Sequence, residues 1–151
     1  MSAETGRLAD VSSFDPEGEK RVVVTGKPPT PVIEICQLLR DHRIGAVVIV
    51  DNDNHIEGIF TERDVVACIA ENGIEALTQP VNTYMWRNVH SCQLDTTIGA
   101  AMDTMNRKRA RHLPVEHDGK LAGIVSIGDV VKHQIRAMEC EAEFIRSYIA
   151  G

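Results

Sequence analysis

The chain has 151 residues and a formal net charge of −6 at pH 7, and 43% of its residues are hydrophobic. This length suits one compact domain or two small halves that share a core, and the acidic balance argues against a protein that binds nucleic acid. No apolar run approaches the roughly 18 residues of a membrane-spanning helix. The four cysteines lie far apart without a C-x-x-C motif, which favours a reducing, cytoplasmic setting over a zinc site or a redox pair.

The N-terminal segment, residues 1–19, is polar and lacks the apolar stretch of a secretion signal, so we expect a flexible arm. A short β-branched strand is predicted next, at Arg21–Thr25. The helix that follows has apolar residues at helical spacing, among them Val32, Ile35 and Leu39.

A hairpin and a second helix complete this first unit. Apolar runs predict strands at Ala46–Val50 and Ile56–Phe60, and the turn-rich sequence between them predicts a hairpin. Thr61 then opens a helix. The resulting β-α-β-β-α unit, residues 20–73, is too small to bury a sufficient core alone, so it requires a partner unit.

The partner unit is a second copy of the first. Residues 74–84 are predicted to form a linker helix. The same order of elements returns over residues 85–137, where the first strand is predicted at Asn88–Cys92. The stretch GIFTERDVV, beginning at Gly58, recurs as GIVSIGDVV, beginning at Gly123, 65 residues later. Upstream of the hairpin turn the copies align at an offset of 66 residues, so the first copy carries one extra residue in that turn. We therefore predict an α/β fold of two tandem β-α-β-β-α repeats packed with pseudo-two-fold symmetry.

Apolar helix faces predict contacts beyond this pair of repeats. In the C-terminal segment, residues 138–151, apolar side chains follow a helical spacing, so the segment should form a helical tail that covers the repeats or contacts a partner chain. The final helices of the two repeats also carry apolar stripes that extend beyond a two-repeat core. These stripes are Val65, Val66 and Ile69 in the first repeat and Val130, Val131 and Ile135 in the second. Such faces commonly mark two-fold interfaces, which predicts a homodimer.

Each copy places a hydroxyl residue three positions before an aspartate, as Thr61 and Asp64 and again as Ser126 and Asp129. This spacing is that of a capping box, in which each side chain satisfies a backbone N–H of the other residue at the start of a helix. The same helix start favours an anion, and its carboxylate can accept the hydroxyls of a ribose. Capping and binding are compatible, because a carboxylate has about four acceptor positions.

The densest basic patch of the chain is Arg107–His112. Cations suit the C-terminal end of a helix, so the patch is explained either as a charged helix end or as a phosphate site. In the first copy the counterparts of Arg111 and His112 are Gly45 and Ala46, so the two copies differ in charge. His112 would add charge only when protonated, and its ordinary pKa of about 6.5 predicts a phosphate preference that grows as the pH falls towards about 6.

The two copies resemble CBS domains, and the chain from about Lys20 to Arg136 resembles a stand-alone CBS pair, also called a Bateman module. The resemblance rests on RIGAVVIVDNDNHIEGIFTERDVV and RHLPVEHDGKLAGIVSIGDVV. It implies a regulatory module that binds AMP, ADP, ATP or a related adenosyl ligand such as NAD or S-adenosylmethionine in the cleft between the repeats. It further implies a homodimer that signals to an effector protein, with the adenine nucleotide as a regulatory ligand and no required cofactor.

The resemblance also assigns ligand contacts to two unequal clefts. The aspartate would hold the ribose, basic residues would hold the phosphates, and backbone of the other repeat would flank the adenine. The stronger cleft would use Thr25, Gly26, Lys27, Ile44, Gly45, Ala46, Arg111, His112, Leu113, Pro114, Ser126 and Asp129. The weaker cleft would use Arg43, Thr61, Arg63, Asp64, Ser91 and Cys92.

Other classes of function find less support in the sequence. No glycine-rich phosphate loop, nucleophile elbow or metal-ligand spacing occurs, so we do not predict an enzyme. The alternative is a non-catalytic, dimerising interaction protein with vestigial clefts. Asp129, Arg111 and His112 discriminate between the two, because a vestigial cleft has no need of such a constellation.

Overall fold

The computed structural model describes residues 6–8 and 23–150, in which two halves of the same design follow each other. The first half consists of β1 (Thr25–Gly26), α1 (Val32–His42), β2 (Ala46–Val50), β3 (Ile56–Thr61) and α2 (Glu62–Asn72). The second half consists of β4 (Cys92–Gln93), α3 (Ile98–Lys108), β5 (His112–His117), β6 (Lys120–Ser126) and α4 (Ile127–Ala150). The predicted α/β fold of two β-α-β-β-α repeats is thereby confirmed.

Each half builds its own three-stranded sheet, in the order β1-β2-β3 or β4-β5-β6. The first strand runs parallel to the second, and the second and third form an antiparallel hairpin. Of two equivalent pairs beside the turns, Val50 and Ile56 are separated by five residues, whereas Glu116 and Leu121 are separated by four. The extra residue of the first copy therefore lies in the hairpin turn, as the sequence offset predicts.

Strand β2 is buried along its whole length because its two faces contact different partners. Val47 and Ile49 join the core of the first half, beneath α1 and α2. Val48 and Val50 face the other way and pack with Leu121 of β6 in a small cluster that joins the two halves. The second half has a core of the same kind, formed by Cys92, Ile98, Ala101, Met105, Leu113, Val115, Val125 and Val130.

The N-terminal segment differs from the prediction of a flexible arm. Leu8 is fully buried in the core of the second half. Its N–H donates to the carbonyl of Thr96 at 2.9 Å, and the N–H of Ile98 donates to the carbonyl of Gly6 at 2.9 Å. Residues 6–8 thus belong to the fold, because Leu8 supplies apolar area to a small core. The other residues of the predicted arm lie outside the described part of the chain.

Three further boundaries differ from the sequence prediction. The linker contains two short 3₁₀ segments, Ile74–Thr78 and Val81–Thr83, in place of one helix, because Pro80 interrupts it. The first strand of the second repeat was predicted at Asn88–Cys92 and begins only at Cys92. The C-terminal tail continues α4 without a break, since no glycine or proline occurs between Asp129 and Ala150. None of the described helices combines the length and apolarity needed to cross a membrane.

Candidate functional site

A cleft of about 430 Å³ opens between the two halves. The first half contributes the start of α2 and neighbouring strand residues, namely Gly45, Ile59, Thr61, Glu62, Arg63 and Asp64. The second half contributes the turn from α3 into β5, namely Lys108, Arg109, Ala110, Arg111, His112 and Pro114. The segment that connects the halves adds Trp86, Val89 and His90. The site is therefore composite, with one wall from each repeat.

The start of α2 presents a carboxylate to this cleft. Asp64 accepts hydrogen bonds from the backbone N–H of Thr61 at 2.9 Å and from its hydroxyl at 3.0 Å, both at Oδ2. The N–H of Asp64 donates to the Thr61 hydroxyl at 3.3 Å, which completes the predicted capping box. Among the described residues nothing donates to Oδ1 of Asp64. That oxygen is available to a ligand while the other one caps the helix.

The second capping box has the same construction. The N–H of Ser126 donates to Oδ2 of Asp129 at 3.0 Å, and the N–H of Asp129 donates to Oγ of Ser126 at 3.1 Å. The first residue of each helix also forms a backbone hydrogen bond to the residue that precedes the neighbouring strand. The N–H of Glu62 donates to the carbonyl of Gly45 at 3.0 Å, and that of Ile127 donates to the carbonyl of Arg111 at 2.9 Å. The two motifs are thus equivalent in backbone geometry.

Four cationic side chains line the cleft: Arg63, Lys108, Arg109 and Arg111. Within residues 6–8 and 23–150 none of the four forms an ion pair. Two carboxylates, those of Glu62 and Asp64, line the same cleft, so its charge is positive although the chain carries −6 overall. Arg107 behaves differently, because its guanidinium lies 3.1 Å from the carboxylate of Asp103 on the surface of α3. The basic patch therefore divides into cleft residues and an ordinary helix surface.

A backbone turn at the end of α3 places three of these cations, Lys108, Arg109 and Arg111, at the cleft. Arg109 follows the last residue of α3 in the left-handed conformation, with φ of 52°, and Arg43 does the same after α1, also with φ of 52°. In the second half this turn is followed directly by Ala110, Arg111 and β5. The two halves thus have the same backbone turn at this point, but the side chains that follow the turn differ between them.

His112 is half-buried at the junction of the two halves. Burial lowers the pKa of its imidazole below the ordinary value, although the carboxylates of Asp129 and Glu62 act in the opposite direction. A Cβ atom at Gly45 would lie 3.1 Å from both Cε1 and Nε2 of the imidazole. The absence of a side chain at Gly45 therefore leaves room for the ring between the halves.

The cleft brings the predicted site residues together in a different grouping from the one that the sequence predicts. Arg111, His112 and Pro114 were grouped with Asp129, but they line the cleft that contains Asp64. The cause is the crossing of the two halves: the turn into β5 meets the start of α2, which belongs to the other repeat. Leu113 alternates with its neighbours along β5 and is buried in the core of the second half.

Several other predicted contacts lie away from this cleft. Gly26 is buried against α1, where a Cβ atom would approach Cδ1 of Ile35 to 2.6 Å. The ammonium of Lys27 donates to the carbonyl of Asp51 at 2.8 Å, at the hairpin turn. Cys92 is buried in the second core. The remaining predicted residues that do not line the described cleft are Thr25, Arg43, Ile44, Ala46, Ser91, Ser126 and Asp129.

The sequence reasoning missed Trp86, the single tryptophan of the chain. Its backbone pairs with Ile59 through two hydrogen bonds of 3.0 Å, and its indole N–H donates to the carbonyl of Asn88 at 2.9 Å. The side chain is nevertheless 59% exposed and lines the cleft. An exposed tryptophan in a linker is a signal that could have identified it. Glu62, Val89 and His90 also line the cleft, and the sequence does not predict them because none belongs to a recognisable motif.

Comparison with known proteins identifies the family to which this duplicated fold belongs. A family model described as the CBS domain matches residues 20–71 and again residues 81–136. The chain belongs to the CBS-domain family. Its two halves are a pair of CBS domains, which confirms the resemblance seen in the sequence.

Relatives of this CBS pair are known from sequence and structure. An uncharacterized 17.7 kDa protein of Acidianus ambivalens is 36% identical over 107 residues, which are 70% of this chain and 63% of the relative. The matched region thus spans less than two thirds of that protein. The crystal structure of a CBS-domain containing protein from Agrobacterium tumefaciens is 46% identical with a TM-score of 0.73, and the match covers 78% of this chain and 94% of the other.

Two structures with the same fold contain ligands. CBSX2, solved in complex with AMP, has a TM-score of 0.74 at 22% identity, with 88% of this chain and 98% of the other covered. The CBS domain pair of protein MJ0100, in complex with 5′-methylthioadenosine and S-adenosyl-L-methionine, has a TM-score of 0.68 at 24% identity, with coverages of 75% and 88%. At these identities the likeness shows the fold alone.

Proposed function

We propose that this CBS pair is a regulatory module that binds a phosphorylated adenosine compound in the cleft of Asp64 and signals to an effector protein. The observation that carries the proposal is the meeting, in one cleft, of a carboxylate oxygen and four cations that have no partner among the residues that the structure describes. A carboxylate suits the hydroxyls of a ribose, and guanidinium groups suit phosphate oxygens.

The proposed arrangement assigns one part of the ligand to each wall. Oδ1 of Asp64 would accept the ribose hydroxyls. Arg63 and Arg111 would bind phosphate, supported by the positive end of α2. Apolar groups of Ile59 and Pro114 would contact the base, and the exposed indole of Trp86 would offer an aromatic face to it.

The charge of the cleft favours some adenosyl compounds over others. AMP, ADP, ATP and NAD carry phosphate, whereas S-adenosylmethionine carries a positive sulfonium group and 5′-methylthioadenosine lacks phosphate. Four cations against two carboxylates attract the first group and disfavour a cationic ligand. The ligands of CBSX2 and MJ0100 support adenosine as the shared part, and the cleft of this chain supports phosphate as the added part.

Calorimetric titration of the protein with AMP, adenosine and S-adenosylmethionine at pH 7.5 tests the proposal. We expect AMP to bind about 10- to 150-fold more tightly than adenosine, the range for losing a charge-assisted hydrogen bond of about 1.5–3 kcal/mol. S-adenosylmethionine should bind more weakly than AMP. Equal affinities for AMP and adenosine would contradict a phosphate site, and a lack of binding by all three would contradict the proposed function.

A further inference from the structure

Helix α4 extends well beyond the core that its first turns cover. Of its 24 residues, only Val130 is fully buried. Apolar side chains nevertheless continue to its end at spacings that alternate between four and three residues. We call this row of six the α4 seam: Val131, Ile135, Met138, Ala142, Ile145 and Ile149.

The α4 seam faces solvent in the described part of the chain. Its five large side chains are between 43% and 78% exposed. An alternation of four and three is the heptad pattern, in which Val131, Met138 and Ile145 occupy d positions and Ile135, Ala142 and Ile149 occupy a positions. Such a row drifts slowly around a straight helix, so it fits another helix with the same repeat better than it fits a flat surface.

We infer that the α4 seam pairs with the α4 seam of a second copy of this chain, as a parallel, in-register, two-stranded coiled coil over Val131–Ile149. Charge complementarity supports a copy of the same chain as the partner. In a parallel pair the g position of one helix lies beside the following e position of the other. Glu141 occupies a g position and Arg146 the following e position, so two opposite-charge contacts form across the pair.

The antiparallel alternative is less favourable. Full overlap of two antiparallel seams puts the two-fold axis near residue 140. Glu139 and Glu141, which flank the seam there, would then each lie near the same residue of the other copy. Like charges in such positions oppose pairing, so the parallel arrangement is the one that the sequence of α4 favours.

Site-specific disulfide formation tests the register. In a Cys140→Ser background, which removes the exposed native thiol of α4, Ile145→Cys places a thiol at a d position. In the parallel pair the two d-position thiols face each other. In the antiparallel pair they lie about 15 Å apart along the axis, from 10 residues at about 1.5 Å each. Ser147→Cys, on the outer face of the helix, is the matched control.

We expect light scattering to show a dimer at micromolar concentration, and Ile145→Cys to form an intermolecular disulfide that Ser147→Cys does not form. A monomer, or equal cross-linking of the two variants, would overturn the inference.

A charge reversal provides a second test in the native-cysteine protein. Arg146→Glu should raise the dimer dissociation constant about 5-fold, and adding Glu141→Arg should restore it. Weakening without restoration would exclude the in-register parallel pair.

Discussion

One repeat position contributes differently to the cleft in the two copies. Arg111 and Gly45 are counterparts in the two copies, and both line the same cleft, one as a cation and the other as the small residue that admits His112. Arg111 therefore comes from the second repeat, whereas the carboxylate of Asp64 comes from the first. Such a division makes Arg111 and Asp64 separable by substitution.

Arg111→Ala should weaken AMP binding about 10- to 150-fold, because a charge-assisted contact to phosphate is lost. Binding of adenosine, which has no phosphate, should change little. Arg107→Ala is the matched control, since Arg107 lies near Asp103 on the surface of α3 and does not line the cleft. Titration calorimetry on both variants measures the difference, and equal losses for the two arginines would contradict the assignment.

His112 should make stability depend on pH in a defined window. Burial lowers its pKa in the folded protein, so the unfolded chain takes up a proton first as the pH falls below the ordinary value of about 6.5. The stability contribution of the neutral imidazole is thus fully present above about 6.5 and is lost as the pH falls towards the folded pKa. It also follows that His112 is neutral near pH 7, so any gain in phosphate affinity from its protonation lies at lower pH than its ordinary pKa predicts.

Urea unfolding of wild type and His112→Gln between pH 8 and pH 5 measures this contribution. The wild-type protein should lose more free energy of unfolding over that range than the variant does, because glutamine does not titrate. An identical decline in the two proteins would show that the imidazole does not lose its proton preferentially on folding.

Among the elements, the helices and strands follow from local pattern, but several of their ends do not. Apolar runs located both hairpins, and the change of offset from 66 to 65 residues located the extra turn residue. The late start of β4 was not predictable, because Val89 and His90 have the composition of a strand but line the cleft instead. Burial of Leu8 was not predictable either, since one leucine in a polar segment has no periodicity.

The N-terminal segment should contribute measurably to stability. Leu8→Ala removes a fully buried side chain and should lower the free energy of unfolding by about 2–5 kcal/mol, the usual cost of such a truncation. Ile74→Ala, at a side chain that is 75% exposed, should change it by about 0.5 kcal/mol or less. Denaturant titration compares the two. A Leu8→Ala variant as stable as wild type would mean that residues 6–8 do not hold the second half together.

In the whole molecule, duplication was predictable but the pairing of its parts was not. The sequence identified both capping boxes and the basic patch, since each is a local pattern. Which patch faces which box depends on how the two halves cross, and the small inter-half cluster of Val48, Val50 and Leu121 sets that crossing. Periodicity gives the face of an element but not its neighbour in the other half, so the sequence groups Arg111 and His112 with Asp129 and does not reveal that both also line the cleft of Asp64.

Titration of AMP into Asp64→Asn and Asp129→Asn shows which aspartate binds the nucleotide, because the two aspartates are equivalent in sequence and capping geometry. An asparagine at either position keeps the side-chain oxygen and volume that the helix start uses but removes the charge. We expect Asp64→Asn to weaken AMP binding about 10- to 150-fold and Asp129→Asn to have a clearly smaller effect. Unchanged affinity in Asp64→Asn, or a larger loss in Asp129→Asn, would contradict a nucleotide site in the cleft of Asp64.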